Sequence, residues 1–453
     1  MRRWCALVAA LGALPTLVWA ALGCGLIYDD WRYAATVHFD GVFHLLREAA
    51  TQDPGRPGQA AYFAFSYAAF GTHPLPHALL LAALNAAAAV LVFVVADRIW
   101  GRQMAIFVTL AWLALANRGS THFWFATAPS VLSLCLLLAV VLALLDERWV
   151  LASVALSAAV LTYESVLGLG VAAFAVWAWR SPRGSIPRAA IALVPVGGAA
   201  LFIVSHSSKD PGALHPGSML SSLLNAEFGA GVFGVPLAAA LGGGLLLVAV
   251  TAAFYRWLSP SWSPTEAEMR VLHGAGILIA GAAPFLAVGF HFAGTGVFDR
   301  GNLTPDLGLA VMMAAVATLA VEHLDRIGIA LAVISVGWLA FLGTRDLRNY
   351  TYAVRDGTRL RAHLAVDVPT INGRLMIGPP QRDYEGIEQF YTSDIGNMLR
   401  LARNDPTIVA NMACSRTEFR KTSDPLRYNR ITRRLDQRRT QPAGAPGYRE
   451  QCD

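Results

Sequence analysis

Long apolar runs alternate with short polar clusters along most of the chain, and residues 78–96 and 131–145 carry no charge at all. A run of about 20 apolar residues is long enough to cross a bilayer as a helix. On that measure the pattern predicts eleven spans, over residues 4–27, 76–97, 103–117, 125–145, 149–163, 165–179, 189–205, 235–256, 271–290, 306–322 and 326–343. The third, fifth and sixth are short for a bilayer, so they are expected to tilt or to lie inside the bundle. The fold class expected is an all-α polytopic membrane bundle over residues 1–343.

The polar clusters give the orientation. Arg2, Arg3, Arg98, Arg102, Arg148, Arg180, Arg183, Arg188, Arg256, Arg270 and Arg326 all fall on one set of short loops, and the positive-inside rule makes that face cytoplasmic. With eleven spans the N-terminus is inside and the C-terminus outside. The N-terminus resembles a signal peptide, but its apolar run continues to about Ile27, so it reads as an uncleaved first span. The outer loops, residues 28–75, 118–124, 206–234 and 291–305, are longer and chemically richer, so chemistry is expected on the extracytoplasmic face of a plasma-membrane protein.

The pattern changes after residue 343. Residues 344–417 read as a small extracytoplasmic α/β domain: a polar helix over 345–364 continuing the last span, strands near 374–377 and 407–412, and a helix from Ser393 to about Arg403. Residues 418–453 are Arg-rich, spaced by Pro and Gly and poor in apolar residues, which predicts disorder. From Thr344 onward 19 Arg and Lys face 13 Asp and Glu, which accounts for the whole net charge of +6. Such a tail suits a solvated surface, anionic lipid or an acidic polymer, and no nucleic-acid partner is expected. Only 15% of the chain is charged, against about 25% for a soluble domain. Cys5, Cys24 and Cys135 fall in apolar runs as small core residues, whereas Cys414 and Cys452 lie in the tail, where an external location would let them pair.

Four clusters carry candidate chemistry. Tyr28-Asp29-Asp30-Trp31-Arg32 ends the first apolar run. Adjacent carboxylates so near hydrocarbon are costly. One can take a proton from an acceptor hydroxyl while the other supports it or holds a metal. An ion pair with Arg32 is the plainer reading. The rest of the first loop brings Arg56-Pro57, the aromatic stretch 62–67, and a turn from Gly71 to His77 with Asn85 beyond it. Arg56 can grip a phosphate. Pro74 and Pro76 argue against a regular helix joining His73 to His77, so His77 reads as a capping or hydrogen-bonding residue rather than a metal ligand. Glu164, in Thr162-Tyr163-Glu164, needs a partner inside the bundle, either structural or at a site. Finally, Asp299-Arg300-Gly301-Asn302-Leu303-Thr304-Pro305-Asp306 opens a span from outside, where a helix N-terminus and an Arg favour an anion; a capped helix with a surface Arg is the plainer reading. P-loop, GxGxxG, GxSxG, HExxH and paired CxxC patterns are absent, which leaves nucleotide-driven pumps and soluble-type hydrolases without support.

In this order the clusters resemble the GT-C superfamily of integral membrane glycosyltransferases, closest to its protein mannosyltransferase-like members and their bacterial relatives. The matching residues are Asp29-Asp30-Trp31, Arg56-Pro57, the aromatics of 62–67, Gly71 to His77 and Leu84-Asn85-Ala86. Two later positions depart from the family pattern: Tyr163 stands where Lys is usual before Glu164, and Gly301 follows Arg300 where an aromatic is usual. The resemblance implies transfer of a hexosyl or pentosyl group from a polyprenyl-phosphate carrier to an extracytoplasmic glycan or protein acceptor. It implies Asp29 as base, Asp30 as its support or a metal ligand, and Arg56 and Arg300 as donor-phosphate contacts. Trp31, His77 and Glu164 support them. A divalent cation is the one cofactor it brings into view. A flippase or transporter for a lipid-linked glycan, or a non-catalytic scaffold of the cell envelope, are the rival readings.

Overall fold

The computed structural model describes residues 1–52, 56–180, 185–206, 221–223, 226, 265–287, 299–367, 374–377, 394–412, 425–429 and 434–437. The expected span 235–256, nearly all of loop 206–234, residues 291–298, and Cys414 and Cys452 lie outside the described residues.

Helices occupy the apolar runs. The first is α1 (Arg2–Gly23); α5 (Pro74–Trp100), α6 (Arg102–Ala114), α8 (Ala128–Leu145), α9 (Trp149–Thr162), α10 (Leu167–Arg180) and α11 (Ser185–His206) follow, and after them α12 (Glu266–Ala287), α13 (Pro305–Leu324) and α14 (Arg326–Asp367). Five helices among the described residues are long and apolar enough to cross a membrane. Trp179 of α10, Ile191 and Val194 of α11, and Val333 and Ile334 of α14 are exposed. Lipid tolerates such a surface and water does not. The chain is a multi-pass membrane protein.

Helix contacts depend on small residues, as they must where packing rather than hydrophobic expulsion holds helices together. A Cβ on Gly12 of α1 would stand 2.7 Å from Ala89 Cβ and 2.8 Å from the Asn85 carbonyl of α5. Gly274 of α12 and Gly308 of α13 face each other in the same way, with a Cβ on Gly274 meeting the Gly308 carbonyl at 2.8 Å.

The first outer loop folds into three helices, α2 (Asp30–Phe39), α3 (Val42–Gln52) and α4 (Pro57–Phe70). The aromatic stretch 62–67 thus forms part of α4, with Phe63 and Tyr67 buried and Phe65 exposed. The prolines near His77 do not prevent a helix. Pro74 takes the first position of α5 and His73 the cap, so His77 lies in the first turn. Helix-start N–H groups have no intrahelical acceptor, so Pro costs nothing there. Between α6 and α8 the chain makes a short helix α7 (Ser120–Phe123) and a 3-10 turn, Phe125–Thr127.

α14 runs 42 residues without a break. At 1.5 Å per residue that is about 63 Å, twice a hydrocarbon core of about 30 Å. Its second half, polar from Arg345 onward, therefore extends past the apolar span, with Asp346, Tyr350 and Val354 still buried against α7 and the end of α1. Beyond it lie α15 (Asp394–Arg403) and a sheet of β1 (Arg374–Ile377), β2 (Val409–Met412), β3 (Pro425–Asn429) and β4 (Arg434–Gln437), in the order β2-β1-β3-β4. β1 is parallel to β2 and β3, and β4 is antiparallel to β3. β3 and β4 fall within the stretch whose composition predicts disorder. α15 packs on α2, and Asn404 just after it meets His38 of α2, Oδ1 to Nε2, at 2.9 Å.

Candidate functional site

The acid pair is set by a tight turn. Tyr28 adopts a left-handed backbone, φ +51°, which is rare for a bulky residue and marks a strained position. Its ring meets Trp124 edge-on at 5.3 Å. The turn ends α1 and starts α2, with Asp29 at the cap position and Asp30 in the first helical turn. The two carboxylates then part company. Asp30 is fully buried; its Oδ2 accepts the Ile27 N–H at 3.1 Å and its Oδ1 accepts the Tyr67 hydroxyl at 2.6 Å. Burial outweighs these bonds and pushes the Asp30 carboxyl up to about 8, and burial together with the Asp30 charge raises the Tyr67 phenol. Asp29 remains half-buried.

Aromatic rings frame the pair. Tyr33 stacks on Phe63 at 4.0 Å, and Tyr67 lies 4.7 Å from the ring of His77. His77 Nε2 is 3.1 Å from the Gly71 carbonyl, and its ring stacks on Phe125 at 5.2 Å. His77 is thus a buried hydrogen-bonding residue that backs Tyr67. The guanidinium of Arg32 meets Glu48 at 3.3 Å.

Arg56 and Glu164 come together, although 108 residues separate them. Two guanidinium nitrogens of Arg56 donate to the two oxygens of Glu164, Nε to Oε2 at 2.7 Å, and the guanidinium lies 4.6 Å from the centre of the Tyr163 ring. This bidentate pair fixes the start of α4 to the end of α9. A Cβ on Gly58 would stand 2.9 Å from Thr162 Cα, so only Gly allows so close a contact. Eleven residues, about 16 Å of helix, separate Arg56 from Tyr67. The Arg56–Glu164 clamp and the acid pair are two stations along α4.

A third cluster joins the segment Asp299 to Asp306 to the polar break at 117–120. Arg118, between α6 and α7, is fully buried, with its guanidinium 3.8 Å from the centre of the Trp112 ring and its Nε 3.6 Å from Asp306 Oδ2. Asn117 Nδ2 donates to Asp306 Oδ1 at 2.9 Å, Asn302 Nδ2 donates to the Asn117 carbonyl at 2.7 Å, and Asp299 accepts the Ser120 N–H at 3.1 Å. Burial lowers Arg118 to about 10, and burial, then Asp346, raises Asp299 well above the carboxylate range. Asp299, Asn302 and Asp306 therefore pack inward on residues 117–120. Arg300 lies in the 3-10 turn Asp299–Leu303, and its side chain is outside the described residues. The sequence signal was present as Asn117-Arg118-Gly119-Ser120, a polar break between two apolar runs. Its partners lie about 180 positions away and gave no local sign. α7 joins this cluster to the first loop: Asn85 Nδ2 donates to the Thr121 carbonyl at 2.9 Å, and Thr16 Oγ1 donates to that of His122 at 3.0 Å.

Among the described residues no group of three or more His, Cys, Asp or Glu could hold an ion, and both Asp30 oxygens already accept protein hydrogen bonds. A cavity of about 610 Å³ lies elsewhere, walled by apolar residues such as Val92, Leu138 and Ile277 with Arg180 and His273 among its polar ones. It borders the last two turns of α5, whereas His77 and the acid pair adjoin its first, so this cavity does not belong to the acid pair.

No protein-family model matches the chain, and no curated protein matches it. Among solved structures it is similar to the apo oligosaccharyltransferase of Archaeoglobus fulgidus, with TM-score 0.49 and 12% identity over 90% of this chain and 64% of that one. The chain thus spans just under two thirds of that protein's length. It is also similar to the same archaeal enzyme, AglB, in complex with an inhibitory peptide and a dolichol-phosphate, with TM-score 0.44 and 12% identity over 90% and 65%. A further similar structure is ArnT from Cupriavidus metallidurans bound to undecaprenyl phosphate, with TM-score 0.43 and 14% identity over 94% and 93%.

Proposed function

We propose that the protein is a membrane glycosyltransferase of the GT-C kind. It moves a hexosyl or pentosyl group from a polyprenyl-phosphate carrier to an extracytoplasmic glycan or protein acceptor. The observation that carries this reading is the division of labour in the acid pair. Asp30 is buried and bound through both oxygens, and Asp29 beside it is only half-buried at the head of α2.

In this reading Asp29 takes the proton of an acceptor hydroxyl as that oxygen attacks the anomeric carbon. The bond from that carbon to the carrier phosphate breaks, the phosphate leaves with the electron pair, and the anomeric configuration inverts. Asp30 is a positioning residue: with Ile27 and Tyr67 it holds the turn that aims Asp29. The Arg56–Glu164 clamp anchors the start of α4, which carries Tyr67.

Two further assignments belong to this reading. The N-terminus is cytoplasmic and the tail external, in a plasma membrane. Residues 344–417 form an external domain that covers the first loop, supported by the packing of α15 on α2.

Purified protein in proteoliposomes, given polyprenyl-phosphate hexoses or pentoses and extracts of envelope glycan, is expected to release free polyprenyl phosphate in an acceptor-dependent manner. Failure to turn over any such donor, with the protein folded, would contradict the reading.

A further inference from the structure

The acid pair leaves one requirement unmet. A phosphate departing beside the Asp29 carboxylate needs cationic or N–H donors, because like charges at short range raise the barrier. Of the first-loop arginines, Arg32 is ion-paired with Glu48, Arg56 is held by both oxygens of Glu164, and Arg47 is exposed on α3.

A different arginine reaches this place. Arg361 belongs to the polar half of α14, about 330 residues after the acid pair, and its guanidinium lies 5.6 Å from the centre of the Trp31 ring. Among the described residues no carboxylate pairs with it and no hydrogen bond engages it, although it is half-buried. Burial lowers its pKa from the usual 12.5. The indole it faces has a second unused donor: Trp31 is 4% exposed, and its buried Nε1–H has no hydrogen-bond partner. A buried N–H without an acceptor is costly unless something fills the place. Trp31 directly follows Asp30 in the first turn of α2, so the ring that Arg361 faces belongs to the same helical turn as the acid pair.

We infer that Arg361 and the indole N–H of Trp31 form the phosphate subsite of this protein, taking the anionic headgroup of a lipid carrier. The assignment rests on the glycosyltransferase reading above. It gives the polar extension of α14 a reason to run past the apolar span at full helical length: the helix delivers a cation to the first loop. The indole face holds the guanidinium in place by cation–π contact and leaves its N–H edges for phosphate oxygens.

The test uses the full chain in nanodiscs and equilibrium binding of radiolabelled farnesyl phosphate, with farnesol and inorganic phosphate as competitors. Arg361→Gln is expected to weaken farnesyl phosphate binding at least about tenfold, the factor that about 1.4 kcal/mol represents. Farnesol binding should not change. Arg361→Lys should retain most of the affinity, and Trp31→Phe, which keeps an aromatic face and removes the N–H, should weaken the phosphate ligand alone. If Arg361→Gln does not fold, Arg361→Lys and Trp31→Phe carry the comparison. Inorganic phosphate that displaces farnesyl phosphate at equal concentration would overturn the lipid source. Wild-type binding untouched by Arg361→Gln and Trp31→Phe would overturn the Arg361 assignment alone. Wild-type protein that binds no farnesyl phosphate would overturn the carrier reading and this subsite with it.

Discussion

Asp30 holds its proton where a surface aspartate would not. Its carboxyl rises from the usual 3.8 to about 8, with burial as the largest cause. Between those values the folded protein binds a proton that the unfolded chain has released, so stability falls as pH rises from about 4 to about 8. The expected slope is about 1.4 kcal/mol per pH unit for one proton, measured by chemical denaturation in micelles. Asp30→Asn should flatten it; an unchanged slope would mean that another group holds the proton. Glu164 invites a simpler test. Glu164→Ala leaves the half-buried Arg56 charge without its two acceptors and should cost about 1–2 kcal/mol, whereas Glu164→Gln, which keeps an acceptor, should cost less. Asp29, Asp30, Arg56 and Glu164 stood out as candidates because they are charged residues beside apolar sequence. Their separate roles were not, because burial and partners come from Ile27, Tyr67 and each other.

At the scale of elements, α7 and its flanks are the hub between the first loop and the segment before α13. Arg118 is the only cation in that hub among the described residues named above, and it faces Asp306 with Asp299 close by. Arg118→Met should destabilise the protein by about 3–5 kcal/mol, because it leaves buried carboxylates uncompensated. Arg118→Lys should recover little, since a point charge cannot both lie over Trp112 and reach Asp306. Thermal unfolding of both variants checks this, and a Lys variant as stable as wild type would contradict it. Helix positions were legible in the hydropathy, since a lipid-facing helix announces itself residue by residue. The hub was not, because hydropathy carries no information on which polar breaks meet across 180 positions. The start of α5 shows a local misreading: prolines that break a helix interior are harmless in its first turn, so His77 is helical.

For the whole molecule, the hydropathy pattern suffices to describe a multi-pass helical membrane protein. The order of clusters in the first 85 residues suggests a glycosyltransferase. The tail was legible as a polar helix continuing the last span. Its return to Trp31 was not, because contact between the two ends of a chain leaves no periodic trace. The account stands on Asp29 as the base that activates an acceptor at this face. The most direct measurement is acceptor-dependent sugar transfer from a polyprenyl-phosphate donor by wild type and Asp29→Asn in proteoliposomes, alongside farnesyl phosphate binding by both. The account predicts a loss of rate of about 10²–10⁴-fold, the usual worth of general-base catalysis, with carrier binding retained. Transfer by Asp29→Asn at the wild-type rate would contradict it.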